Sequence, residues 1–252
     1  MVTTAVTPEP APAPISSIGR VFGALFNPKP TFESIAQRPT WLLPILIGVV
    51  MGIAASTVIS QRIGWRAVIE KQIANNARAQ KQMESLTPEQ REQNISMQEK
   101  IAPKFAYTIN VVLPFLAAII IAAVMLGAFN LIHGANMNFK TSLGITAYGF
   151  CPAIISGLLA ILLLYIKDPS TVDVQNIVAS NPGALVSDST PKWLVSLLGS
   201  LDLFSFWTMI LMALGYSATN PKKISFGSAF FTVFACWALY VLCKVGLAAA
   251  FS

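Results

Sequence analysis

Two charged residues stand inside otherwise apolar runs of this sequence, and they are the first candidates for chemistry. Asp202 lies nine residues into the run 193–216, and Lys244 lies eight residues before Ser252, within the run 226–251. A charge surrounded by hydrocarbon is costly and marks a functional position by default. We predict that Asp202 and Lys244 lie about 12 Å below one membrane surface, face the interior of a helical bundle, and pair directly or through water. In the alternative, Lys244 extends to the lipid headgroups and Asp202 lies at a hydrated surface.

A second candidate is the segment 147–152, whose sequence is Ala-Tyr-Gly-Phe-Cys-Pro. Pro152 lacks the N–H that would bond to the carbonyl of Tyr148, so we predict a kink in the helix there. Gly149 narrows the helix beside the kink, and the Tyr148 hydroxyl requires a hydrogen-bond partner. Such a helix can line a small polar cavity or can serve packing alone, and both interpretations are open.

A stripe of small residues runs along the first apolar segment, 41–60. Gly48, Gly52 and Ser56 are spaced four residues apart and therefore share one helical face. Small residues on one face allow another helix to approach closely. We expect this stripe to pack against a helix of the same chain, while packing against a second copy of the chain is the alternative and leaves a homo-oligomer open.

Long apolar runs position all of these residues. The chain is 54% hydrophobic and only 11% charged, whereas a soluble domain carries about 25% charged residues. A run of roughly 20 apolar residues spans the hydrocarbon core as a helix, because each backbone polar group must be paired within the segment. We therefore predict an all-α, polytopic membrane protein with five transmembrane helices, at about 41–60, 106–132, 143–166, 193–216 and 226–251.

The segment before the first span divides into a tail and two short helices. Residues 1–14 contain four prolines and few large apolar groups, so we expect a disordered tail, followed by one membrane domain over 15–252. The first helix, 15–26, places its apolar residues on one face and suits a position in the headgroup plane. A second short helix, capped by Thr31, should turn Phe32 and Ile35 towards the membrane in the same way.

The largest polar connection, Gln61–Lys104, contains eight Lys or Arg residues and five Glu residues. Thr87, Pro88 and Gln90 form the pattern of a capping box with proline at the first helical position. We therefore predict two helices outside the hydrocarbon, at 62–84 and 88–102. This pair could present a partner-binding surface or only a solvated one.

Several classes of function are disfavoured by what the sequence lacks. No zinc-protease, serine-hydrolase or phosphate-binding motif is present, and the three cysteines have no C-x-x-C spacing. The single histidine, His133, lies at the end of a span, where a headgroup contact is expected. The basic residues are scattered through tail and loops rather than concentrated in a patch, so we expect no nucleic-acid partner. We also expect no enzymatic activity, no cofactor and no metal.

The order of several motifs resembles the Yip-domain membrane family, particularly its bacterial members. The matching segments are Leu-Phe-Asn-Pro-Lys-Pro-Thr-Phe at 25–32, Arg-Pro-Thr-Trp at 38–41, Thr-Pro-Glu-Gln-Arg-Glu-Gln at 87–93, and the segment 147–152. The resemblance implies a five-span fold in the bacterial cytoplasmic membrane, with the N-terminus cytoplasmic and the C-terminus on the far side. Counting basic residues alone leaves the orientation open. Eukaryotic relatives are associated with Rab-type GTPases and vesicle traffic, but they carry a longer cytosolic N-terminal region than this chain.

These features favour a non-enzymatic membrane protein. We expect a scaffold or accessory subunit that acts through protein–protein contacts in the lipid bilayer, with a membrane protein partner that the sequence does not identify. The alternative is a small transporter or channel with a polar site near Tyr148, Asp202 and Lys244.

Overall fold

The computed structural model describes residues 15–174, 176–187 and 190–250, and this part of the chain is helical with no strand. The predicted disordered tail, 1–14, lies outside the described residues. The helices follow the order α1 (Ser17–Phe26), α2 (Pro28–Gln37), α3 (Leu42–Arg62), α4 (Trp65–Ala74), α5 (Ala77–Glu84), α6 (Pro88–His133), α7 (Phe139–Gly149), α8 (Pro152–Ile166), α9 (Lys192–Ser200), α10 (Leu203–Thr219) and α11 (Phe226–Ala250), with a short 3₁₀ turn at Pro182–Leu185.

The helices confirm a polytopic membrane protein. Four helical segments are long and apolar enough to cross a bilayer, namely α3, α6, the α7–α8 pair and α11. The predicted fourth span is instead a broken pair, because α9 and α10 meet at an angle of 47°. The described chain therefore has four continuous candidate spans and a fifth if the bent pair crosses as one unit.

The polar connection departs from its prediction at both helices. The expected helix at 62–84 is interrupted, because the Asn76 side chain accepts hydrogen bonds from the N–H groups of Arg78 and Ala79 and starts a new helix. The capping box at Thr87 is present, but the helix that it begins does not end near 102. It continues through Pro103 and Pro114 as the 46-residue α6, about 69 Å long, which joins the polar region directly to a span.

The short helix α2 lies in the protein core, and here the prediction was wrong. Phe32 and Ile35 are fully buried in the bundle rather than turned towards the membrane. Room for α2 comes from glycines on its neighbours α7 and α10. A Cβ atom on Gly215 would lie 2.7 Å from the Phe32 ring, and one on Gly144 would lie 3.4 Å from Cγ2 of Ile35. The apolar face of α2 is therefore buried against protein, whereas the sequence suggested that it would contact lipid.

Candidate functional site

Arg20 is the most unusual side chain of the α1–α2 hairpin, because it is a cation that is only 3% exposed. Its Nη1 donates to the carbonyl oxygen of Arg38 at 2.7 Å and to Thr40 Oγ1 at 2.9 Å. Its Nη2 donates to Ser34 Oγ at 3.0 Å and, at 3.4 Å, to the carbonyl oxygen of the same residue. Among the described residues the ion pairs all involve Arg66, so no carboxylate compensates Arg20.

The compensation for this buried charge comes from the end of α2. The carbonyl of Ser34 lies in the last turn of α2 and accepts from the N–H of Arg38 as well, whereas the carbonyl of Arg38 at the C-cap lies beyond the helical hydrogen bonds. The negative end of the helix dipole favours a cation at this position. Arg20 therefore acts as a side-chain cap that fixes α1 against α2. The sequence analysis did not single out Arg20.

Tyr148 extends the same network into the spanning helices. Its side chain is fully buried, and its hydroxyl shares a 3.1 Å hydrogen bond with Thr40 Oγ1 and donates to the carbonyl oxygen of Ser17 at 3.4 Å. The chain of contacts from Arg20 through Thr40 to Tyr148 thus joins α1, the start of α3 and α7. We name these five residues, Arg20, Ser34, Arg38, Thr40 and Tyr148, the hairpin network. It satisfies the Tyr148 hydroxyl within the protein.

The segment around Pro152 forms a break between α7 and α8. The N–H of Cys151 bonds to the carbonyl oxygen of Tyr148 at 3.1 Å, and the N–H of Ala153 bonds to that of Phe150 at 2.9 Å. These tighter bonds replace the helical bond that proline cannot donate. Gly149 lies directly against α10, since a Cβ there would lie 2.6 Å from Cγ of Met212. In this structure the segment serves close packing.

A second buried network, which the sequence analysis missed, connects three spans. The Tyr216 hydroxyl of α10 lies 2.8 Å from Ser142 Oγ and 3.0 Å from Thr146 Oγ1, both on α7. Ser142 Oγ donates to the carbonyl oxygen of Ala122 on α6 at 2.7 Å. The Tyr216 ring also stacks on Phe129 with 4.3 Å between ring centroids. The available signal was the four-residue spacing of Ser142 and Thr146, which puts both hydroxyls on one face of α7.

Asp202 and Lys244 lie near each other but bind different groups. Asp202 caps α10, where its carboxylate accepts from the N–H groups of Phe204 and Ser205 and from the hydroxyl of Ser180. Lys244 is exposed rather than interior, and its Nζ donates to Ser200 Oγ at 3.1 Å. The described residues contain no direct ion pair between the two charges. Their pairing through water stays a prediction.

The break between α9 and α10 shortens the helix that carries Asp202. Asp202 lies 17 residues before the end of α10, and Lys244 lies 18 residues after the start of α11, which are about 26 and 27 Å of helix. The two charges therefore lie towards the same end of the bundle, and their depth of about 12 Å in the bilayer stays a prediction.

Tyr148 and Asp202 do not converge on one polar site. Gly149, beside Tyr148, packs against Met212, which lies ten residues from Asp202 on α10. That separation is about 15 Å along the helix axis. The structure therefore divides the predicted polar site into the buried hairpin network and a separate cluster at the far end of the bundle.

The small-residue stripe of α3 packs against α6 at two of its three positions. Ser56 Oγ accepts a 2.8 Å hydrogen bond from Asn110 Nδ2, and a Cβ on Gly52 would lie 2.7 Å from Asn110 Oδ1. Gly48 has open space beside it, with no atom within 4 Å of a Cβ placed there. The intramembrane Asn110 was missed because a single Asn in an apolar run gives no spacing signal.

Helix α4 is joined to α6 by a charged pair, and α5 is joined to α6 by a hydrogen bond from Arg91 to the carbonyl oxygen of Glu84. Arg66 binds Glu92 in a bidentate pair, at 2.8 and 2.7 Å, and binds Glu70 at 3.0 Å. Hydrogen bonds to both carboxylates raise the pKa of the Arg66 guanidinium, and the bond from Arg66 lowers the pKa of Glu92. Lys71 Nζ also donates to the carbonyl oxygen of Val172 at 2.9 Å. We name α4, α5 and the first part of α6 (Pro88–Lys104) the polar platform.

A groove of about 260 Å³ opens between the helices of the polar platform. Its apolar lining includes Ile73, Met83 and Ile95, all half-buried, and charged groups stand at its rim. The full lining is Glu70, Ile73, Ala74, Gln80, Met83, Glu84, Arg91 and Ile95. A partly apolar groove outside the hydrocarbon has no lipid to cover it, so it is a candidate surface for a partner.

His133 contacts protein rather than standing alone at the interface. Its Nε2 lies 2.8 Å from Thr232 Oγ1 of α11, and its ring lies 5.3 Å from that of Phe129. Across the described ranges, no group of three or more His, Cys, Asp or Glu residues is arranged to hold a metal ion.

Comparison with known proteins gives a match to one family. The family model described as Yip1 domain matches residues 22–247, which is most of the chain and agrees with the resemblance noted in the sequence. No curated protein and no solved structure matches the chain.

Proposed function

Because the chain belongs to the Yip1-domain family of multi-pass membrane proteins, we propose that it is a non-enzymatic scaffold or accessory subunit that acts through protein–protein contacts. The observation that carries this proposal is the groove of the polar platform. The platform is attached to the bundle through α6, whose helix continues through Pro103 into the span. Arg66 joins α4 to α6, and Arg91 joins α5 to α6 through the carbonyl oxygen of Glu84. A partner bound there would be held close to the membrane.

The chemistry of the groove indicates the kind of partner. Ile73, Met83 and Ile95 offer apolar contact, whereas Glu70, Glu84 and Arg91 carry charges of both signs at the rim. Helical partners commonly bind through a few apolar anchors with polar groups around them. We therefore propose an amphipathic extramembrane segment of another membrane protein as the occupant.

The buried networks of the bundle support a packing role for the spans. The hydroxyls of Tyr148 and Tyr216 are both bonded to neighbouring helices, and both side chains are fully buried. Polar groups that are satisfied in this way hold a helical bundle in one arrangement.

We expect Met83→Glu to abolish partner binding without unfolding the protein. A carboxylate in the apolar part of the groove would lose hydration on binding, so recovery of the partner should fall by about tenfold or more. The matched control is Met97→Glu, since Met97 lies on α6 outside the groove and is 56% exposed. Both variants are purified from native membranes, and the co-purifying proteins are quantified by mass spectrometry. Equal losses for the two variants would count against the groove as the binding surface.

A transporter is the second candidate, and the break between α9 and α10 is the observation that favours it. Broken spans with an acidic residue at the break form ion sites in several transporter folds, and Asp202 occupies this position. If the chain conducts ions, Asp202→Asn should lower the flux into proteoliposomes by at least about tenfold. The scaffold proposal instead expects no flux above that of empty liposomes for either protein.

We propose the bacterial cytoplasmic membrane as the location, with the α1 end on the cytoplasmic side. This orientation follows the family resemblance. Counting basic residues does not decide it, because the connections of the opposite side carry basic residues as well.

A further inference from the structure

Helix α1 has one face on the protein and one apolar face without a protein neighbour. Arg20, Val21 and Ala24 are buried against the bundle. Ile18, Phe22 and Phe26, spaced four residues apart, are 65%, 62% and 76% exposed. The hairpin network fixes α1 by hydrogen bonds, so the exposed face keeps one direction.

The position of α1 along the bundle is set by its neighbours. It precedes the first span and contacts Tyr148 of α7 through the carbonyl of Ser17. The end of α6 is joined to the first turns of α11 by the hydrogen bond between His133 and Thr232. Other large apolar side chains are exposed where the spans begin or end at this side, namely Leu42, Leu131, Ile132, Phe139 and Phe226. This exposed apolar belt is continuous with lipid-facing helix surfaces and indicates the boundary between hydrocarbon and headgroups.

The charges at this end are almost all positive. Five basic side chains are exposed at this end, namely Lys29, Arg38, Lys140, Lys222 and Lys223. The described residues of these connections contain a single carboxylate, that of Glu33. None of the five forms an ion pair within the described ranges. The opposite end differs, because acidic residues are interleaved with its basic residues and pair with them, as Glu70 and Glu92 do with Arg66.

We propose that the α1 end of the bundle binds anionic phospholipid headgroups, with the apolar face of α1 inserted at the hydrocarbon boundary. An inserted apolar helix face and a group of basic side chains are two signals that together give stable attachment to an anionic surface. The lysines supply the preference for negative headgroups over zwitterionic ones. The observations favour lipid over a second copy of the chain, since the face adjoins the apolar belt and like-charged ends would repel each other. This surface is separate from the groove of the polar platform and goes beyond the scaffold proposal.

The test uses the full chain in mild detergent with an equimolar mixture of phosphatidylglycerol and phosphatidylcholine. Native mass spectrometry then counts the lipids of each class that stay bound. We expect a phosphatidylglycerol excess of about fivefold or more, because each basic residue near an anionic surface contributes on that scale. The excess should approach parity in the variant Lys29→Gln/Lys140→Gln/Lys222→Gln/Lys223→Gln and should weaken at high salt.

The matched control removes four basic residues from the polar platform, as Arg78→Gln/Lys81→Gln/Lys100→Gln/Lys104→Gln. This control should keep the excess, because its net charge change is identical and only the location differs. Equal binding of the two lipids by the unaltered chain, or equal losses in the two variants, would overturn the proposal.

A separate measurement tests the inserted face of α1. The variant Phe22→Ser/Phe26→Ser should reduce the number of bound phosphatidylglycerol molecules while the protein stays monodisperse. A dimer in the unaltered chain that this variant dissociates would assign the face to a second copy and overturn the proposal. Failure of either lipid test leaves the groove proposal untouched, because partner recovery with Met83→Glu is read independently.

Discussion

Replacing Arg20 with methionine is expected to lower the free energy of unfolding by about 3 kcal/mol, the largest loss for any single polar residue of the hairpin. The substitution removes the donor of the Arg38 carbonyl, while the Ser34 carbonyl keeps the N–H of Arg38 and the Thr40 hydroxyl keeps that of Tyr148. Methionine has similar length, so most of the loss comes from the lost hydrogen bonds of Arg20 rather than from a cavity. Reversible unfolding in mixed detergent measures the difference.

Two further variants decide whether this loss comes from the hairpin network. The free energy of unfolding of Arg20→Lys should fall between those of the unaltered protein and of Arg20→Met. An ammonium group lacks the planar guanidinium that donates to several acceptors at once. Arg38→Met should change stability by less than about 0.5 kcal/mol, because the Arg38 side chain is exposed and only its carbonyl takes part. Equal losses for Arg20→Met and Arg38→Met would show that general charge, and not the cap on α2, stabilises the hairpin.

The second large effect is expected at Gly215, where a single methyl group should displace α2 from its groove. A Cβ there would lie 2.4 Å from Ile145 and 2.7 Å from the Phe32 ring, so Gly215→Ala should cost about 1–3 kcal/mol. The same substitution at Gly48, which has open space beside it, should be neutral or slightly stabilising because alanine favours the helix. A loss of stability for Gly215→Ala without a loss for Gly48→Ala would show that the effect comes from the packing around Gly215.

A double-mutant cycle identifies the contact responsible. Phe32→Leu removes part of the ring that a new methyl group would strike, so Gly215→Ala should cost less in that background. A coupling energy near zero would assign the cost to the contact with Ile145 of α7 rather than to the Phe32 ring of α2.

The sequence predicted the spans because hydrophobic length is a direct consequence of the bilayer's thickness. It did not predict that α2 is buried, since the pattern of Phe32 and Ile35 shows an apolar face but not whether lipid or protein covers it. The glycines that make room for α2, Gly144 and Gly215, lie more than 100 residues away along the chain. Only the fold brings these residues together.

The charged residues show a different limit of sequence reasoning. Asp202 looks like an intramembrane charge when it is counted along an apolar run, but it also has the position of an N-cap residue before Leu203. That capping pattern was the available signal for the break between α9 and α10. The role of Arg20 had no such signal, because its acceptors are two backbone carbonyls, which every residue has, and two hydroxyls that lie 14 and 20 residues away along the chain.

The groove of the polar platform is the centre of the functional account, and co-purification from native membranes tests it most directly. The unaltered chain, Met83→Glu and Met97→Glu are compared in the same mild detergent by quantitative mass spectrometry. If the groove binds the partner, one membrane protein should co-purify in stoichiometric amount with the unaltered chain and with Met97→Glu, and it should be lost with Met83→Glu. Recovery of the chain without a stoichiometric partner, or of the same partner with all three proteins, would show that the groove is not the binding surface.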